Sequence, residues 1–448
     1  MEFEIKAINA NHNPDRRCKM LALASLALPG VWHSALAESV GRPEPVARLQ
    51  VLHWWTSSSE AKAVKVLALA LAHEHIVWQD AAIPGAAGFG AGKVLKNRML
   101  AGSAPDVAQL NGVNLAEWAA LGLLQQLDAI AMRGNWQARL YPAVWELVRR
   151  QQHVVAAPLG IHRINMLIYN KALFARFGLQ PPATWSQFEQ AAAKFRQAGV
   201  MALAQSSEAW QVATLFESLI LAQGGADYYR ELFVEKQQAA FADERLTRAL
   251  LHLRALKQWM PAAMQEDAWQ DCVKSVGEGR AAMHIGGDWG KGELNALGLV
   301  TDDKFGALAV PDTAQYHLYC VDSLAMLAGD GTRRSAQERL AAMALAPELQ
   351  MKLSRVKGSI PVLAPAVLGN LAAGMDSCAR ESARLFALGA KVQVPSLVHR
   401  MATDDATKDA IIAEVQRFFM DDRAQVGKTR ERLAEIVHAL RQFGNKMD

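Results

Sequence analysis

The chain has 448 residues, of which 51% are hydrophobic and 21% are charged, and its formal net charge is +4. This length predicts two or three compact units, and the composition is that of an ordinary globular protein. The small net charge is spread along the chain without a dense block of Lys and Arg, which argues against nucleic-acid binding.

The first 37 residues have the pattern of an export signal. Three basic side chains lie within 16–19, residues 20–32 are apolar but too short to span a bilayer, and Ala-Leu-Ala at 35–37 fits a cleavage site. A buried helix is the alternative, which the charged and small-residue flanks disfavour. We therefore expect cleavage before Glu38 and an exported protein.

Three cysteines follow this segment, Cys272, Cys320 and Cys378. The odd number leaves at least one free thiol, while export permits one disulfide whose partners the sequence does not specify. No C-x-x-C pattern is present, which argues against a zinc or thioredoxin-like site. The simplest expectation is three small buried apolar side chains, with or without one bridge.

In the region after the signal, segments with a strand pattern alternate with segments of helical periodicity. Strands are predicted at 47–55, 76–83 and 104–110, and helices at 59–75, near 93–101 and at 114–127. Strands that alternate with helices favour an α/β fold with a mainly parallel sheet.

The pattern changes after residue 153. Residues 153–179 contain extended apolar segments that lead into a helix ending at Gly178, and Thr184 is a suitable N-cap for the next helix. Helical periodicity dominates residues 200–265. Further strands are predicted at 281–289, 305–313 and 322–329, and the rest is mostly helical apart from 357–364. We therefore expect two lobes joined by short crossovers.

Motifs for catalysis are largely missing. The Gly-rich segment 85–94 resembles a phosphate-binding loop, but Val94 stands where Mg²⁺ binding needs Ser or Thr, and Ala87 replaces the first glycine. There is no H-E-x-x-H pattern, no G-x-S-x-G pattern and no nucleotide-binding fingerprint after the first strand. The sequence favours a plain loop at 85–94 and predicts no catalytic residue, metal or cofactor.

Aromatic and polar side chains gather where the predicted elements end. Ligands of α/β proteins bind outside the carboxyl ends of strands. Each of these residues alone is explained as a buried indole, a cap or a surface charge, but together they suit a carbohydrate, since indole faces cover C–H groups and polar groups bind hydroxyls. The set comprises Trp54, Trp55, Glu60, Gln109, Asn111, His162, Arg163, Asn165, Asp288, Trp289, Asp322, Lys357 and His399.

The adjacent pair Trp54 and Trp55 needs its own explanation. Neighbouring side chains on a strand point to opposite faces, so one sheet core does not take both indoles. At the end of a strand the same alternation lets the pair line two sides of one pocket.

Several of these segments resemble the extracellular solute-binding proteins of sugar ABC importers, and among them the periplasmic glucose/mannose-binding branch. The resemblance runs from about residue 48 to 445. Its most specific pieces are LHWWTSSSEAKAV (52–64), APDVAQLNG (104–112), APLGIHRIN (157–165), LIYNKALF (167–174), GRAAMHIGGDW (279–289) and KGSIP (357–361).

The resemblance implies a two-lobed α/β fold with the ligand in a cleft between the lobes. It implies three crossings between lobes, near 158–161, 306–310 and 356–361. The first lobe would then comprise 48–158 and 308–357, and the second lobe 159–307 and 358–448.

The resemblance also implies which residues contact the sugar. Those that match the family pattern are Trp54, Trp55, Glu60, Gln109, Trp269, Trp289, Asp322, Lys357 and His399, and His162 and Asn111 join them from the same segments. Asn111 is a departure, because many relatives carry Lys there; Asn keeps hydrogen-bonding ability but loses charge and reach. This departure leaves the specificity for glucose open.

The function that follows is a periplasmic receptor for a monosaccharide, glucose or a close aldose. It would deliver the sugar to an inner-membrane ABC permease with a cytoplasmic ATPase, and a chemotaxis or sensor receptor is a further possible partner. The runner-up is a receptor for a disaccharide or another solute. A third reading is a secreted glycosidase with Glu60 and Asp322 as its carboxylate pair, which no catalytic motif supports.

Overall fold

The computed structural model describes residues 47–85, 88–263 and 265–444, and the predicted export signal at 1–37 lies outside these ranges. The strands are β1 (Ala47–His53), β2 (Ile76–Ala82), β3 (Val107–Gln109), β4 (Arg149–Arg150), β5 (His153–Val154), β6 (Ala156–Arg163), β7 (Met166–Asn170), β8 (Met201–Leu203), β9 (Ala281–Gly286), β10 (Phe305–Ala309), β11 (His317–Met326) and β12 (Gln393–Pro395).

Helices cover these strands and form most of the rest. The helices are α1 (Ser58–His73), α2 (Phe89–Leu100), α3 (Val113–Ala120), α4 (Asp128–Arg133), α5 (Trp136–Arg139), α6 (Pro142–Val148), α7 (Lys171–Arg176), α8 (Trp185–Gln197), α9 (Ala209–Phe233), α10 (Gln238–Ala242), α11 (Glu244–Ala255), α12 (Trp269–Gly277), α13 (Trp289–Ala296), α14 (Arg334–Ala344), α15 (Pro347–Lys357), α16 (Pro365–Leu368), α17 (Ser377–Phe386), α18 (Asp405–Met420) and α19 (Val426–Gly444).

The first sheet has the strand order β12-β11-β3-β1-β2, and β6 also pairs with β11. Strand β1 is parallel to β2 and β3, as predicted, but β11 runs antiparallel to both β3 and β6. The prediction of a mainly parallel sheet is confirmed for three of the five strand pairings, since β11 is also parallel to β12, and it is wrong for the pairings of β11 with β3 and β6. The reason is that β11 enters from the other sheet rather than through a local strand–helix–strand crossover, which is the connection that parallel neighbours require.

The second sheet has the order β10-β7-β9-β8. Strand β7 is antiparallel to both of its neighbours, and β8 is parallel to β9. The chain passes from the first sheet to the second between β6 and β7, and it returns between β10 and β11. The residue bounds that the sequence predicts for the two lobes stay a prediction.

Helix starts follow the capping signals in the sequence. Helix α1 begins at a capping box formed by Ser57 and Glu60, and α8 begins at a capping box formed by Thr184, the predicted N-cap, and Gln187. The helix predicted at 114–127 is shorter than expected, because α3 ends at Ala120 and the chain then turns to pair Leu124 with Leu327. A long-range bridge of this kind leaves no periodic signal in the local sequence.

Cys272, Cys320 and Cys378 are buried free thiols. The structure thus agrees with three small buried side chains, and no bridge joins them.

Two features are absent from the described ranges. None of their helices combines the length and the apolar character needed to cross a bilayer. Within the same ranges, no group of three or more His, Cys, Asp or Glu side chains is arranged to hold a metal ion.

Gly112 lies where the β3–α3 turn packs closely against the segment that follows β12. Its φ of 56° and ψ of −124° lie outside the range of residues with a side chain. A Cβ atom at this position would lie 1.8 Å from the carbonyl oxygen of Arg400, which accepts from the backbone N–H of Val113 at 2.9 Å. Any side chain here forces the two segments apart.

We expect Gly112→Ala to lower the free energy of unfolding by about 3 kcal/mol or more, because it adds a backbone clash to backbone strain. Gly122→Ala is the matched control: its φ is +67°, but nothing lies within 4 Å of the added Cβ, so only the strain of about 1–2 kcal/mol applies. Urea unfolding of both variants measures the difference. Equal costs at the two positions would contradict the packing role of Gly112.

Candidate ligand-binding site

A cavity of about 240 Å³ lies between the elements of the two sheets. It is bordered by the turn after β1, the starts of α1, α9, α12 and α13, the strands β6 and β11, the end of α15 and the loop after β12. Of the predicted site residues, those that line it are Trp54, Trp55, Glu60, Asn111, His162, Trp269, Trp289, Asp322, Lys357 and His399. Gln109 is buried but does not line the cavity.

The turn after β1 is fixed by hydrogen bonds at the point where the strand ends. The backbone N–H of Trp55 donates to Nδ1 of His53 (3.2 Å), so the ring proton of His53 is on Nε2, 2.6 Å from Oδ1 of Asp80. Because β1 ends at His53, both tryptophans lie beyond the end of the strand. Trp55 is 4% exposed, whereas Trp54 is half-buried and borders the cavity.

Glu60 uses its two carboxylate oxygens for different purposes. Oε2 accepts from the backbone N–H groups of Thr56 and Ser57, each at 3.0 Å, and so closes the capping box of α1. Oε1 lies 3.6 Å from the ammonium of Lys357. One oxygen holds the helix start while the other faces the cavity.

A buried cluster of charged groups forms one wall of the cavity. The Lys357 ammonium lies 3.3 Å from Oδ2 of Asp322 and 4.5 Å from the ring centre of Trp55. Oδ2 of Asp322 also lies 3.3 Å from Nε2 of His162, whose Nδ1 lies 2.5 Å from Oδ1 of Asp288. The register of β11 against β6 shifts between Asp322 and Ser323, and a bulge of this kind redirects the side chain beside it.

The protonation states in this cluster follow from burial opposed by opposite charges. Burial disfavours the ionised form of Asp322, but Lys357 and His162 outweigh it and hold the pKa of that carboxyl well below its usual range. Burial likewise lowers the pKa of His162, yet Asp288 and then Asp322 raise it to about 9. Burial also opposes the charge of Lys357, but Asp322 and Glu60 raise its pKa.

The charges within the cluster nearly compensate one another. At neutral pH the cations His162 and Lys357 face the carboxylates of Glu60, Asp288 and Asp322. A buried charge without a partner is costly, and here each charge has one. The wall therefore suits a polar neutral ligand better than an ion.

Two amide side chains orient Asp322 from behind. Gln109 Nε2 and Asn111 Nδ2 donate to Oδ1 of Asp322, at 3.2 Å and 3.1 Å. Their carbonyl oxygens accept from the backbone N–H groups of Trp54 and Ser323, at 3.3 Å and 3.2 Å. Both amides are thus engaged within the protein, and the predicted contact of Gln109 with a ligand stays a prediction.

Aromatic rings form a second wall. The ring of Trp289, at the start of α13, lies with its centre 5.0 Å from that of His399 and 5.6 Å from that of His162. Trp210 stands perpendicular to His399 at 6.3 Å. Trp269, at the start of α12, borders the same cavity.

Five further polar or aromatic residues border the cavity that sequence reasoning did not single out: Thr56, Glu208, Trp210, Gln270 and Arg400. Glu208 accepts from the indole N–H of Trp210 at 2.9 Å and from Nε2 of Gln211 at 2.7 Å. Glu208 and Trp210 stand at the start of the long apolar helix α9, and this acidic–aromatic pair is the signal that could have identified them. Arg400 donates to Oδ1 of Asp405 at 2.9 Å, and nothing in the local pattern distinguishes it.

Comparison with known sequences identifies relatives over most of the chain. The sequence model of the bacterial extracellular solute-binding proteins matches residues 57–331. A probable sugar-binding periplasmic protein of Brucella suis is 28% identical over 423 residues, which are 94% of this chain and 99% of the relative. A protein with the same description from Mesorhizobium japonicum is 31% identical over 316 residues, 70% of this chain and 76% of its own.

Comparison with solved structures identifies the same architecture. The bacterial solute receptor AcbH, described as having an exclusive preference for β-D-galactopyranose, matches with a TM-score of 0.74 at 16% identity, covering 88% of this chain and 100% of its own. A maltose-bound MalE3 of T. maritima matches with a TM-score of 0.72 at 17% identity, covering 88% and 100%. At such identities the likeness shows the fold alone, and it confirms the predicted two-lobed α/β fold.

The raised pKa of His162 predicts a pH dependence of stability. A group whose pKa is higher in the folded state stabilises that state fully below its unfolded pKa, here 6.5, and the stabilisation is lost as the pH rises through about 9. We expect this contribution to fall by about 3 kcal/mol between pH 6 and pH 10. Urea unfolding across this range measures it, as the difference between the native protein and His162→Gln.

His73→Gln, on the exposed face of α1, is the control for loss of an imidazole and should retain the native pH dependence. If His162→Gln does not fold, an NMR titration of the His162 ring in the native protein reports its pKa directly. A value near 6.5 would refute the proposed charge on His162.

Proposed function

Because the chain belongs to the family of bacterial extracellular solute-binding proteins, we propose that it is the periplasmic sugar receptor of an ABC importer. Family membership agrees with the prediction of a receptor rather than an enzyme. Two relatives over most of the chain are described as probable sugar-binding periplasmic proteins, which supports a sugar as the solute. We further propose that the sugar is a monosaccharide, glucose or a close aldose.

The observation that carries this proposal is the pairing of a charge-compensated wall with an aromatic wall. Charged side chains form stronger hydrogen bonds with hydroxyl groups than neutral ones do. Because Lys357 and Asp322 already pair with each other, an anionic or cationic ligand would add a buried charge without a partner of its own. A pyranose brings hydroxyl groups for this wall and C–H faces for the indoles.

The size of the cavity supports a single sugar ring. Its volume of about 240 Å³ is below the roughly 300–1,000 Å³ of pockets for drug-sized ligands. A disaccharide, the runner-up, is the larger ligand and fits this volume less well. Asn111 keeps this alternative in view, because its amide is bound to Asp322 and brings no charge to the ligand.

Of the adjacent indoles, we propose that Trp54 stacks on the sugar and Trp55 supports the cationic side of the wall. The ammonium of Lys357 occupies one face of Trp55 at 4.5 Å, a distance at which cation and ring attract. Trp54 is the more exposed of the two. The two neighbours then serve different sides of the cavity.

The glycosidase reading meets a chemical obstacle. A glycosidase needs one carboxylic acid with a raised pKa to protonate the leaving oxygen. Lys357 lies between Glu60 and Asp322 and contacts both, and the pKa of Asp322 is lowered rather than raised. This pair is suited to holding hydroxyls rather than to transferring protons.

Contacts outside the cavity link α1 to α13. The backbone N–H of Ser59 donates to Glu293 at 3.0 Å, and Lys62 donates to the carbonyl of Ala296 at 2.7 Å. We propose that these contacts belong to a closed form, which the sugar stabilises because its two sides touch both walls. An inner-membrane permease with its cytoplasmic ATPase would recognise the closed form, and a chemotaxis or sensor receptor is the alternative partner.

Titration of the purified protein with glucose, mannose, galactose, xylose and maltose, followed by tryptophan fluorescence, tests the proposal. We expect a saturable change with at least one monosaccharide at micromolar affinity, which corresponds to about −8 kcal/mol. A response to maltose alone would favour the disaccharide reading, and consumption of sugar during incubation would favour the enzyme. No response to any of the monosaccharides would sink the proposed ligand class.

Substitution of the two walls tests the assigned residues. Trp55→Ala and His399→Ala should each weaken sugar binding about tenfold or more, through loss of the support for Lys357 and loss of a hydrogen-bonding ring. Trp145→Phe, on α6 and outside the cavity lining, controls for loss of an indole, and thermal unfolding shows whether each variant is folded. Native affinity in both alanine variants would mean that these residues are wrongly assigned.

A further inference from the structure

Glu217 is a fully buried carboxylate in the middle of α9 that does not line the cavity. It accepts from the hydroxyl of Tyr229 at 2.7 Å, from the hydroxyl of Ser396 at 2.9 Å and from the backbone N–H of Leu397 at 2.9 Å. The backbone N–H of Val398 is a further donor. These neighbours are all neutral donors, and an ionised carboxylate, which only accepts, satisfies all of them.

Ser396 connects this carboxylate to the cavity. Its Oγ lies 3.0 Å from Nδ1 of His399, and it accepts from the backbone N–H of His399 at 3.2 Å. The ring of His399 borders the cavity beside Trp289. Glu217 therefore reaches the site through this hydroxyl group, and its own Oε1 lies 4.0 Å from Nδ1 of His399.

The positions of the protons follow from counting donors. The hydroxyl of Ser396 has a single proton, and it donates that proton in the hydrogen bond to the carboxylate of Glu217. Oγ of Ser396 can then only accept from the His399 ring, so the ring proton of His399 must be on Nδ1. Nε2 is the remaining ring nitrogen, and it has a free lone pair.

The charge states agree with this count. Burial raises the pKa of Glu217 to about 7 although its donors oppose the rise, so the carboxylate is ionised at pH 8. Burial is the main cause that lowers the pKa of His399 to about 3, and the charge of His162 is the next. The imidazole is therefore neutral and has one ring proton.

We propose that Glu217 is a positioning residue that, through Ser396, holds His399 as the Nδ1–H tautomer, so that Nε2 accepts a hydrogen bond from a ligand hydroxyl. This inference rests on the proposed function for the identity of the ligand, but the tautomer itself is a property of the sugar-free protein. It assigns a direction to one contact in the site: the sugar donates to His399, whereas it accepts from Lys357.

The tautomer is measured directly by ¹⁵N NMR of the full-length protein labelled at histidine, at pH 8 and without sugar. Comparison with His399→Gln identifies the signals of His399. We expect a protonated Nδ1 and an unprotonated Nε2. A ring protonated at Nε2 in the native protein would overturn the proposal.

Two variants test whether Glu217 and Ser396 impose this state. Ser396→Ala removes the acceptor of the Nδ1 proton, and Glu217→Gln points an amide N–H₂ donor at groups that donate to the native carboxylate, so both should mix the tautomers and weaken sugar binding about tenfold. Ser396→Thr retains the hydroxyl and should restore the native tautomer. If Glu217→Gln does not fold, the serine variants still decide.

Ser382→Ala is the matched control, because Ser382 bonds the ring of another buried histidine, His317, at 2.7 Å. It should leave the signals of His399 unchanged. An unchanged tautomer in both Ser396→Ala and Glu217→Gln would overturn the positioning role. A native Nδ1–H tautomer in a protein that binds none of the sugars would reject the proposed function while leaving the positioning role intact.

Discussion

The buried ammonium of Lys357 is the interaction on which the site depends. It is the last residue of α15, and it contacts Asp322 of β11 and Glu60 at the start of α1. Elements far apart in sequence thus meet at one positive charge. Removal of one member of such a cluster leaves its partners buried without compensation, which typically costs about 3–5 kcal/mol. The geometry of the charged wall is therefore part of the stability of the fold, and the wall is held in place before any ligand arrives.

Much of this arrangement follows from local sequence signals. The apolar strand before Trp54, the helical periodicity of 59–75 and the cap at Thr184 each predict an element that the structure contains. The antiparallel placement of β11 was not predictable in this way, because strand direction is decided by partners more than 150 residues away. Nor was the position of Gln109: its amide faces Asp322, which is 213 residues further along the chain. Whether a polar side chain contacts a ligand or another side chain depends on residues far away in the sequence. The alternation of side chains within one strand does not encode it.

Two of the buried carboxylates, Asp322 and Glu217, are stabilised in opposite ways. Asp322 is held by cations, and its pKa falls well below the usual range. Glu217 is surrounded by neutral donors, and burial raises its pKa to about 7. Full charges attract a carboxylate more strongly than dipoles do. The first group therefore acts on a ligand through charge, while the second acts through the direction of hydrogen bonds.

The divided role of Glu60 has an evolutionary consequence. One oxygen closes the capping box of α1, and the other lies in the charged wall. A capping box accepts Gln as readily as Glu, so a mutational step to Gln preserves the start of the helix while it changes the charge beside Lys357. A lineage could pass through this step to a new solute without losing the fold. Steps to shorter or apolar side chains lose both roles together, so the route to altered specificity at this position is narrow.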